Sequence, residues 1–268
     1  GGLLMARFCP LFSGSSGNSY YIGSSGSGVL IDAGRSAKQI TNMLGSCEID
    51  IASVKAIFVT HEHSDHVKGL RVFASRHHIP VFASVGTLKA LEKMGCLNEK
   101  YPADVIDENG MECAGMYIKP FRTSHDCAEG LGYRIETQDG RSAGFSTDLG
   151  YFSEAVKKEL LGTDLVVLES NHDVRMLQNG AYPYYLKQRI LSNIGHLSNQ
   201  ACADQLFELA KKGTTRFVLA HLSSENNTPE LAYQTSLCSL SLAGLKEGVD
   251  YQLYVAPKEN VNSKVMIF

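Results

Sequence analysis

Residues 61–66, with the sequence His-Glu-His-Ser-Asp-His, constrain this chain more than any other segment, because five of the six side chains can bind or support a metal ion. They follow the apolar run 56–59, Ala-Ile-Phe-Val, which predicts a strand. Imidazoles and carboxylates packed this closely are costly in an ordinary core, since each needs a hydrogen-bond partner. The alternative is a polar loop whose histidines bond to the backbone. The H-x-H-x-D-H spacing favours a site for Zn, Mn or Fe, which imidazole and carboxylate ligands suit.

The spacing within this segment predicts two ions rather than one. In an extended segment His61 and His63 point the same way and can hold the first ion. Asp65 and His66 follow after the chain turns and can hold a second ion.

Two close ions need more ligands than one loop supplies, and strand ends are suitable places for them. His125, Asp148 and His221 each follow a predicted strand. His125 can be the third imidazole of the first ion, and His221 can complete the second. A carboxylate can bridge two cations, so Asp148 is the predicted shared ligand, although its segment also reads as a turn.

Composition and patterning predict a layered α/β protein. A chain of 268 residues with 44% hydrophobic content can bury the core of one or two domains, and one domain over residues 1–268 is the simplest account. The net charge of −3 neither favours nor excludes a nucleic-acid partner, because a local patch or bound cations can supply the attraction. Seven scattered cysteines without a C-x-x-C motif indicate reduced thiols and a cytoplasmic protein. No apolar stretch approaches the length of a membrane span.

Strand-like and helix-like segments alternate along the chain. The repeated apolar patterns predict strands at 20–22, 29–31, 56–59, 81–83, 117–121, 132–136, 142–146, 165–168, 217–220 and 252–255. They predict helices at 36–44, 67–77, 87–94, 153–160, 183–194, 198–212 and 229–245. Residues 23–28, rich in Gly and Ser, predict a hairpin turn.

Taken together, residues 61–66, His125, Asp148, His221 and the run Val-Leu-Ile-Asp-Ala-Gly at 29–34 resemble the metallo-β-lactamase superfamily. The resemblance covers nearly the whole chain. It implies a four-layer αββα sandwich with two metals at one edge of the paired sheets. It also implies that His61, His63 and His125 bind one metal, that Asp65, His66 and His221 bind the other, and that Asp148 bridges. Asp32 would then buttress the histidine loop, as metal-bound imidazoles require.

Within that superfamily, four segments resemble the YycJ/WalJ (VicX) branch of bacterial cytoplasmic nucleases tied to DNA repair. They are residues 12–18, 169–173, 176–183 and 195–199. The resemblance implies a DNA exonuclease. The predicted catalytic residues are Asp65, His172 and His196, and the predicted substrate contacts are Ser15, Ser16, Asn18, Asn171, Lys187 and Arg189. Tyr182, Tyr184 and Tyr185 offer faces for stacking bases, although that stretch also reads as an amphipathic helix with a solvated basic side.

The expected mechanism is hydrolysis of a phosphodiester by a hydroxide that two metal ions share. His196, just before a predicted helix N-terminus, would contact the phosphoryl oxygen or protonate the leaving 3′-oxygen. Three alternatives remain. They are a thioester or lactone hydrolase with the same ligands, a tRNA-processing type of ribonuclease, and a metal-stabilised regulatory protein without catalysis. The native metal, the polarity of cleavage and the oligomeric state are not determined by the sequence.

Overall fold

Helices and strands alternate along the chain in the computed structural model, which describes residues 5–24 and 26–268. The strands are β1 (Arg7–Phe12), β2 (Ser19–Ser24), β3 (Ser27–Ile31), β4 (Val54–Phe58), β5 (Val81–Ala83), β6 (Ala103–Val105), β7 (Met111–Cys113), β8 (Met116–Arg122), β9 (Leu131–Thr137), β10 (Ser142–Ser146), β11 (Leu165–Glu169), β12 (Arg216–Ala220), β13 (Gln252–Val255) and β14 (Met266–Ile267). The helices are α1 (Ala37–Ser46), α2 (Ser64–Val67), α3 (Leu70–His77), α4 (Val85–Lys93), α5 (Glu154–Leu160), α6 (Val174–Asn179), α7 (Tyr184–Ile190), α8 (Asn199–Ala210) and α9 (Pro229–Leu242).

The chain divides into two compact units. Unit 1 contains the chain up to residue 120 together with 127–141 and 257–268, and unit 2 contains 121–126 and 142–256. One domain over residues 1–268 stays a prediction, and residues 1–4 and 25 lie outside the part that the structure describes.

Unit 1 contains a mixed sheet with the strand order β14-β1-β2-β3-β4-β5-β6. β1, β2 and β3 pair antiparallel, which confirms the predicted hairpin between β2 and β3, although Ser25 in its turn is outside the described residues. β3 and β4 pair in parallel with Ile31 opposite Phe58. Their carboxyl ends therefore lie side by side, and the residues that follow them, Asp32 and Thr60, become neighbours. Buried side chains such as Leu30, Ile57 and Phe73 form the core of this unit.

Unit 2 contains four parallel strands in the order β13-β12-β11-β10. Ser146 pairs with Leu168, and Leu168 pairs with Leu219, so the three central strands end at one level. The three central strands β10, β11 and β12 are almost entirely buried and mostly apolar, as is typical of parallel strands covered on both faces. Side chains that follow them emerge together at one edge.

Several helices differ from the sequence prediction. The helix predicted at 67–77 is two helices, α2 and α3, separated at Gly69, where a side-chain carbon would lie 1.9 Å from the Arg35 carbonyl oxygen. The helix predicted at 183–194 ends at Ile190, whose carbonyl accepts from the His196 amide at 3.0 Å. The strands β1, β6, β7 and β14 and the helix α6 were not predicted. No helix among the described residues has both the length and the apolarity needed to cross a bilayer.

Candidate metal centre

Unit 1 brings together the four predicted ligands of the histidine loop. The ring centroid of His61 lies 4.5 Å from that of His63 and 4.2 Å from that of His66. His66 Nε2 lies 3.5 Å from a carboxylate oxygen of Asp65. His61 and His66 are buried, whereas His63 and Asp65 are partly exposed. The loop therefore presents imidazoles and a carboxylate as one cluster.

Asp32 holds this loop through hydrogen bonds to Thr60 and His66. Its carboxylate accepts from the Thr60 amide and the Thr60 hydroxyl, both at 2.8 Å, and from His66 Nδ1 at 2.7 Å. Burial raises the pKa of Asp32, while the nearby imidazole of His66 opposes that rise. Because the bond to Asp32 occupies Nδ1 as a donor, the lone pair of neutral His66 is on Nε2. This arrangement orients Nε2 of His66 as a candidate metal-binding nitrogen, and the supporting role that the resemblance implies for Asp32 stays a prediction.

Asn18, a predicted substrate contact, has a buried position in unit 1. Its side-chain oxygen accepts from the Gly14 amide at 2.9 Å, and its Nδ2 lies 3.1 Å from the Gly14 oxygen and 3.1 Å from His66 Nε2. Ser15 in the same loop is exposed and Ser16 is partly exposed. The structure thus gives Asn18 a role in shaping the loop, and the substrate roles of all three residues stay predictions.

Gly34 lies where two backbone segments meet, and we expect Gly34→Ala to destabilise the protein. A side-chain carbon there would lie 1.7 Å from the Asp65 carbonyl oxygen and 2.6 Å from the Asn18 nitrogen. Neither group is a flexible side-chain end, so the loop must shift. We expect the free energy of unfolding to fall by about 3 kcal/mol, at the upper end for overpacking, as measured by urea denaturation.

Gly45→Ala is the matched control, since nothing lies within 4 Å of a side-chain carbon at that position in α1. The same substitution should there raise the free energy of unfolding by about 0.5–1 kcal/mol, because alanine loses less backbone entropy in a helix. Equal effects of the two substitutions would contradict the close backbone contact at Gly34.

Unit 2 brings together the other three predicted ligands, which are His125, Asp148 and His221. A carboxylate oxygen of Asp148 lies 3.6 Å from His125 Nε2 and 3.5 Å from His221 Nδ1. All three side chains are buried. His125 Nδ1 donates to the Gly195 carbonyl at 3.0 Å, so its lone pair is on Nε2, the nitrogen nearest Asp148. Burial lowers the pKa of His125, which favours the neutral form that binds a metal.

Glu169 belongs to this cluster, although we assigned it no role from the sequence. It ends β11 and is fully buried, and it accepts from His196 Nδ1 at 2.8 Å and from His221 Nδ1 at 2.9 Å. The amides of Leu149 and Leu197 also donate to it, at 2.8 and 3.1 Å. Like Asp148, Glu169 is an acidic residue at the end of a buried strand. That placement was the sequence signal that could have identified it as part of the site.

Glu169 and His196 each stabilise the charged form of the other. Burial alone would raise the pKa of Glu169, but the charge of His196 and the hydrogen bonds from His196 and His221 lower it to about 2. Burial alone would lower the pKa of His196, but the charge and hydrogen bond of Glu169 raise it above the usual value. An ionised Glu169 thus holds His196 as a proton donor, with Nδ1 occupied and Nε2–H available to a substrate.

We expect Glu169→Gln to cut kcat by about 10- to 100-fold, the usual cost of removing a partner that orients a site histidine. The amide carries no charge, so the pKa of His196 should fall. If protonated His196 acts in catalysis, the alkaline limb of the pH–rate profile should then move to lower pH, whereas a purely structural role would leave that limb in place. Glu225→Gln, at an exposed position four residues after His221, is the matched control and should leave both readouts unchanged.

Three residues at the strand ends have left-handed backbone conformations. Asp32, Asp148 and His221 have φ angles of 63°, 56° and 55°. Such angles cost energy for residues other than glycine, on the order of 1–3 kcal/mol, and are concentrated at functional sites. The left-handed backbone conformation changes the direction of each side chain at the point where the chain leaves its strand.

The remaining predicted residues of unit 2 lie near this cluster. His172 is buried, neither ring nitrogen has a hydrogen-bond partner among the described residues, and burial lowers its pKa to about 4. Asn171 donates to the His221 carbonyl at 2.9 Å, and Lys187 Nζ donates to the Gln178 carbonyl at 2.8 Å. Arg189 forms an ion pair with Asp126, beside His125. Their roles in catalysis or substrate binding stay predictions.

The donor sets of both units fit divalent metal ions. Asp148, Glu169, His196 and His221 each offer a ligand atom, and these atoms lie within 4.8 Å of one another. Imidazole and carboxylate without thiolate suit Zn, Mn and Fe. Bonds from the Nδ1 atoms of His66, His125 and His221 to acceptors leave Nε2 as the lone-pair nitrogen of each neutral ring. The arrangement supports metal binding without indicating which metal or how many ions.

Comparison with known proteins agrees with this geometry. The family described as beta-lactamase superfamily domain matches residues 28–222. Exodeoxyribonuclease WalJ of Streptococcus pneumoniae is 38% identical over 256 residues, which cover 92% of this chain and 93% of that protein. Exodeoxyribonuclease YycJ of Bacillus anthracis is 37% identical over 252 residues, covering 92% of this chain and 94% of that protein.

A solved structure shows the fold. The metallo-β-lactamase fold protein YhfI from Bacillus subtilis superposes with a TM-score of 0.72, at 14% identity, over 98% of this chain and 100% of that one. The prediction of an α/β protein with the metallo-β-lactamase fold is thereby confirmed.

Proposed function

Because this chain belongs to the beta-lactamase superfamily, we propose that it is a metal-dependent hydrolase and, more narrowly, an exodeoxyribonuclease. The observation that carries the proposal is the 38% identity, over 92% of the chain, to a relative named as an exodeoxyribonuclease. The clustered imidazoles and carboxylates within each unit support the metal dependence. A role in DNA repair and a cytoplasmic location are parts of the same proposal.

We further propose that two divalent ions bind to the seven predicted ligands. They are His61, His63, Asp65, His66, His125, Asp148 and His221. What such ions supply when bound is charge that neutralises the phosphodiester and a lower pKa for the attacking water. Asp32 and Glu169 act on the ligands by fixing His66 and His221 through their Nδ1 atoms.

His196 is the proposed residue that contacts the reacting phosphodiester from the protein side. It precedes Ser198, whose hydroxyl accepts from the Ala201 amide and caps α8. The partial positive charge at a helix N-terminus favours a bound phosphate nearby. Protonated by the influence of Glu169, His196 can donate from Nε2 to a phosphoryl oxygen or pass that proton to the leaving 3′-oxygen.

The function is tested with one metal-loaded preparation and four substrates. We expect a cleavage ladder from end-labelled single- or double-stranded DNA, with slower release from RNA and no turnover of an S-acyl glutathione. Elemental analysis of the same sample should find divalent metal. Turnover of the thioester without cleavage of DNA would favour the thioester hydrolase, and bound metal without turnover of any substrate would favour a regulatory protein.

Binding of single-stranded DNA should weaken as salt is added, because cations on the protein that neutralise phosphates release counterions. For three contacted phosphates we expect a slope of about −2 in log K against log salt, since single strands give roughly −0.7 per contact. Fluorescence anisotropy with a labelled oligonucleotide measures the slope, and a flat response would contradict a phosphate-contacting groove.

A further inference from the structure

The exposed apolar side chains of unit 2 concentrate beside its candidate catalytic residues. Seven large hydrophobic side chains of this unit are exposed, and five of them lie in the segments that adjoin Asp148 and His196. These five are Tyr151, Tyr184, Tyr185, Leu191 and Ile194, and the other two are Leu242 and Val249. Exposed apolar surface concentrated in one place marks an interaction site.

Tyr184 and Tyr185, which we call the tyrosine pair, are the strongest part of this surface. They are 77% and 73% exposed at the start of α7, and the structure describes no ring contact for either one among residues 5–24 and 26–268. Two neighbouring rings with this much exposed surface are available to contact a ligand. Lys187 on the same short helix adds positive charge, and Arg189 on that helix is a second cation, ion-paired with Asp126.

Hydrogen bonds join this helix to the ligand cluster of unit 2. Arg189 lies one turn after Tyr185 and so on the same face of α7, and it forms the ion pair with Asp126. The Asp126 amide donates to the Ile194 carbonyl at 3.0 Å. His125, the next residue back, donates to the Gly195 carbonyl at 3.0 Å. The tyrosine pair therefore lies on a helix continuous with the residues that flank His196.

We propose that the tyrosine pair stacks on bases of single-stranded DNA next to the phosphodiester being cleaved. This inference rests on the proposed function and adds to it how the strand is held. Single-stranded DNA combines phosphates with flat aromatic faces, and aromatic side chains with neighbouring cations are what bind it without sequence preference. Exposed rings beside Lys187 and Arg189 match that combination better than they match an apolar protein surface.

The first test is binding. Single-stranded oligothymidylate with phosphorothioate linkages, which slow hydrolysis, is titrated into the metal-loaded protein and followed by fluorescence anisotropy. The double variant Tyr184→Ala with Tyr185→Ala should bind at least about tenfold more weakly, since loss of one stacking side chain costs on the order of 5- to 150-fold. Tyr184→Phe with Tyr185→Phe should bind like the unchanged protein, because the ring faces remain. Leu242→Ala, at a position 84% exposed elsewhere in unit 2, is the matched control.

The second test locates the bases. The double alanine variant should lose kcat/KM on oligonucleotides but not on methyl p-nitrophenyl phosphate, a phosphodiester that carries no base. An abasic residue at the stacked position should lower the kcat/KM of the unchanged protein but should lower that of the alanine variant little further.

Three outcomes would overturn the inference. One is unchanged DNA binding in the alanine variant, and another is an equal loss in the phenylalanine variant. The third is a changed oligomeric state in sedimentation with unchanged DNA binding, which would make the surface an interface between protein chains. If the unchanged protein cleaves no DNA, the proposed function fails, while the binding comparison still decides whether the tyrosine pair contacts single strands.

Discussion

Replacing Asp148 with Ala is expected to abolish metal binding and hydrolysis together. Its carboxylate lies within 3.7 Å of ring nitrogens of His125, His196 and His221, so it is placed beside all three imidazoles of the unit 2 cluster. A bound metal contributes several kcal/mol to the stabilisation of a transition state, and each 1.36 kcal/mol is a factor of ten. We therefore expect a loss of at least about 10³-fold on a 5′-labelled oligonucleotide.

Metal content after dialysis, measured by elemental analysis, is the second readout for Asp148. Because the residue has a φ of 56°, Asp148→Asn is the variant that best keeps the backbone, since asparagine tolerates this conformation. It should lose metal and activity as the alanine variant does. Asp204→Ala, at an exposed position on α8, is the matched control. Full metal content in either Asp148 variant would contradict a role for this residue as a ligand.

Replacing His196 with Ala should leave the metal content unchanged but cut turnover of DNA by roughly 10²–10⁴-fold, the range for a general acid. The imidazole is held by Glu169 at 2.8 Å rather than by the predicted ligand set, so its removal should not release the metal. His77→Ala, which removes a histidine in unit 1 that we place outside the site, should leave both metal content and turnover unchanged.

Changing the leaving group distinguishes the two roles proposed for His196, which are a hydrogen bond to the phosphoryl oxygen and proton transfer to the leaving oxygen. A p-nitrophenyl ester expels an anion that needs no proton, so a general acid should matter far less for that substrate than for DNA. Equal losses on both substrates would assign His196 to the phosphoryl oxygen instead. Normal turnover of DNA by the variant would remove His196 from catalysis altogether.

Much of the fold followed from local sequence patterns. Apolar runs predicted β10 and β13 at their observed bounds, and the capping serines at 36, 153 and 198 begin α1, α5 and α8. The failures have local physical causes as well. Gly69 divides a predicted helix because the backbone of Arg35 passes too close for a side chain, and short strands such as β6 are mostly exposed and lack an apolar pattern.

The candidate site was predictable in its ligands and less so in the residues that orient them. His61, Asp148 and His221 stand out because each follows a buried strand. Glu169 follows the same rule, yet nothing in its neighbourhood shows that two histidines, 27 and 52 positions further along the chain, donate to it. The structure shows the Asn18 side chain buried against Gly14 and His66, and the substrate contact predicted for this residue stays a prediction.

The sequence by itself determined the α/β class and the types of candidate metal ligand, because hydrophobic periodicity and the spacing of side chains along a loop are local properties of the chain. Only the tertiary structure decided that Asp32 holds His66 and that Glu169 joins His196 to His221. Those contacts depend on which strands pair and in what register: β3 beside β4 places Asp32 next to Thr60, and β11 between β10 and β12 places Glu169 among residues from three chain segments. Register between distant strands is a property of the packed sheet, and a short sequence window does not contain it.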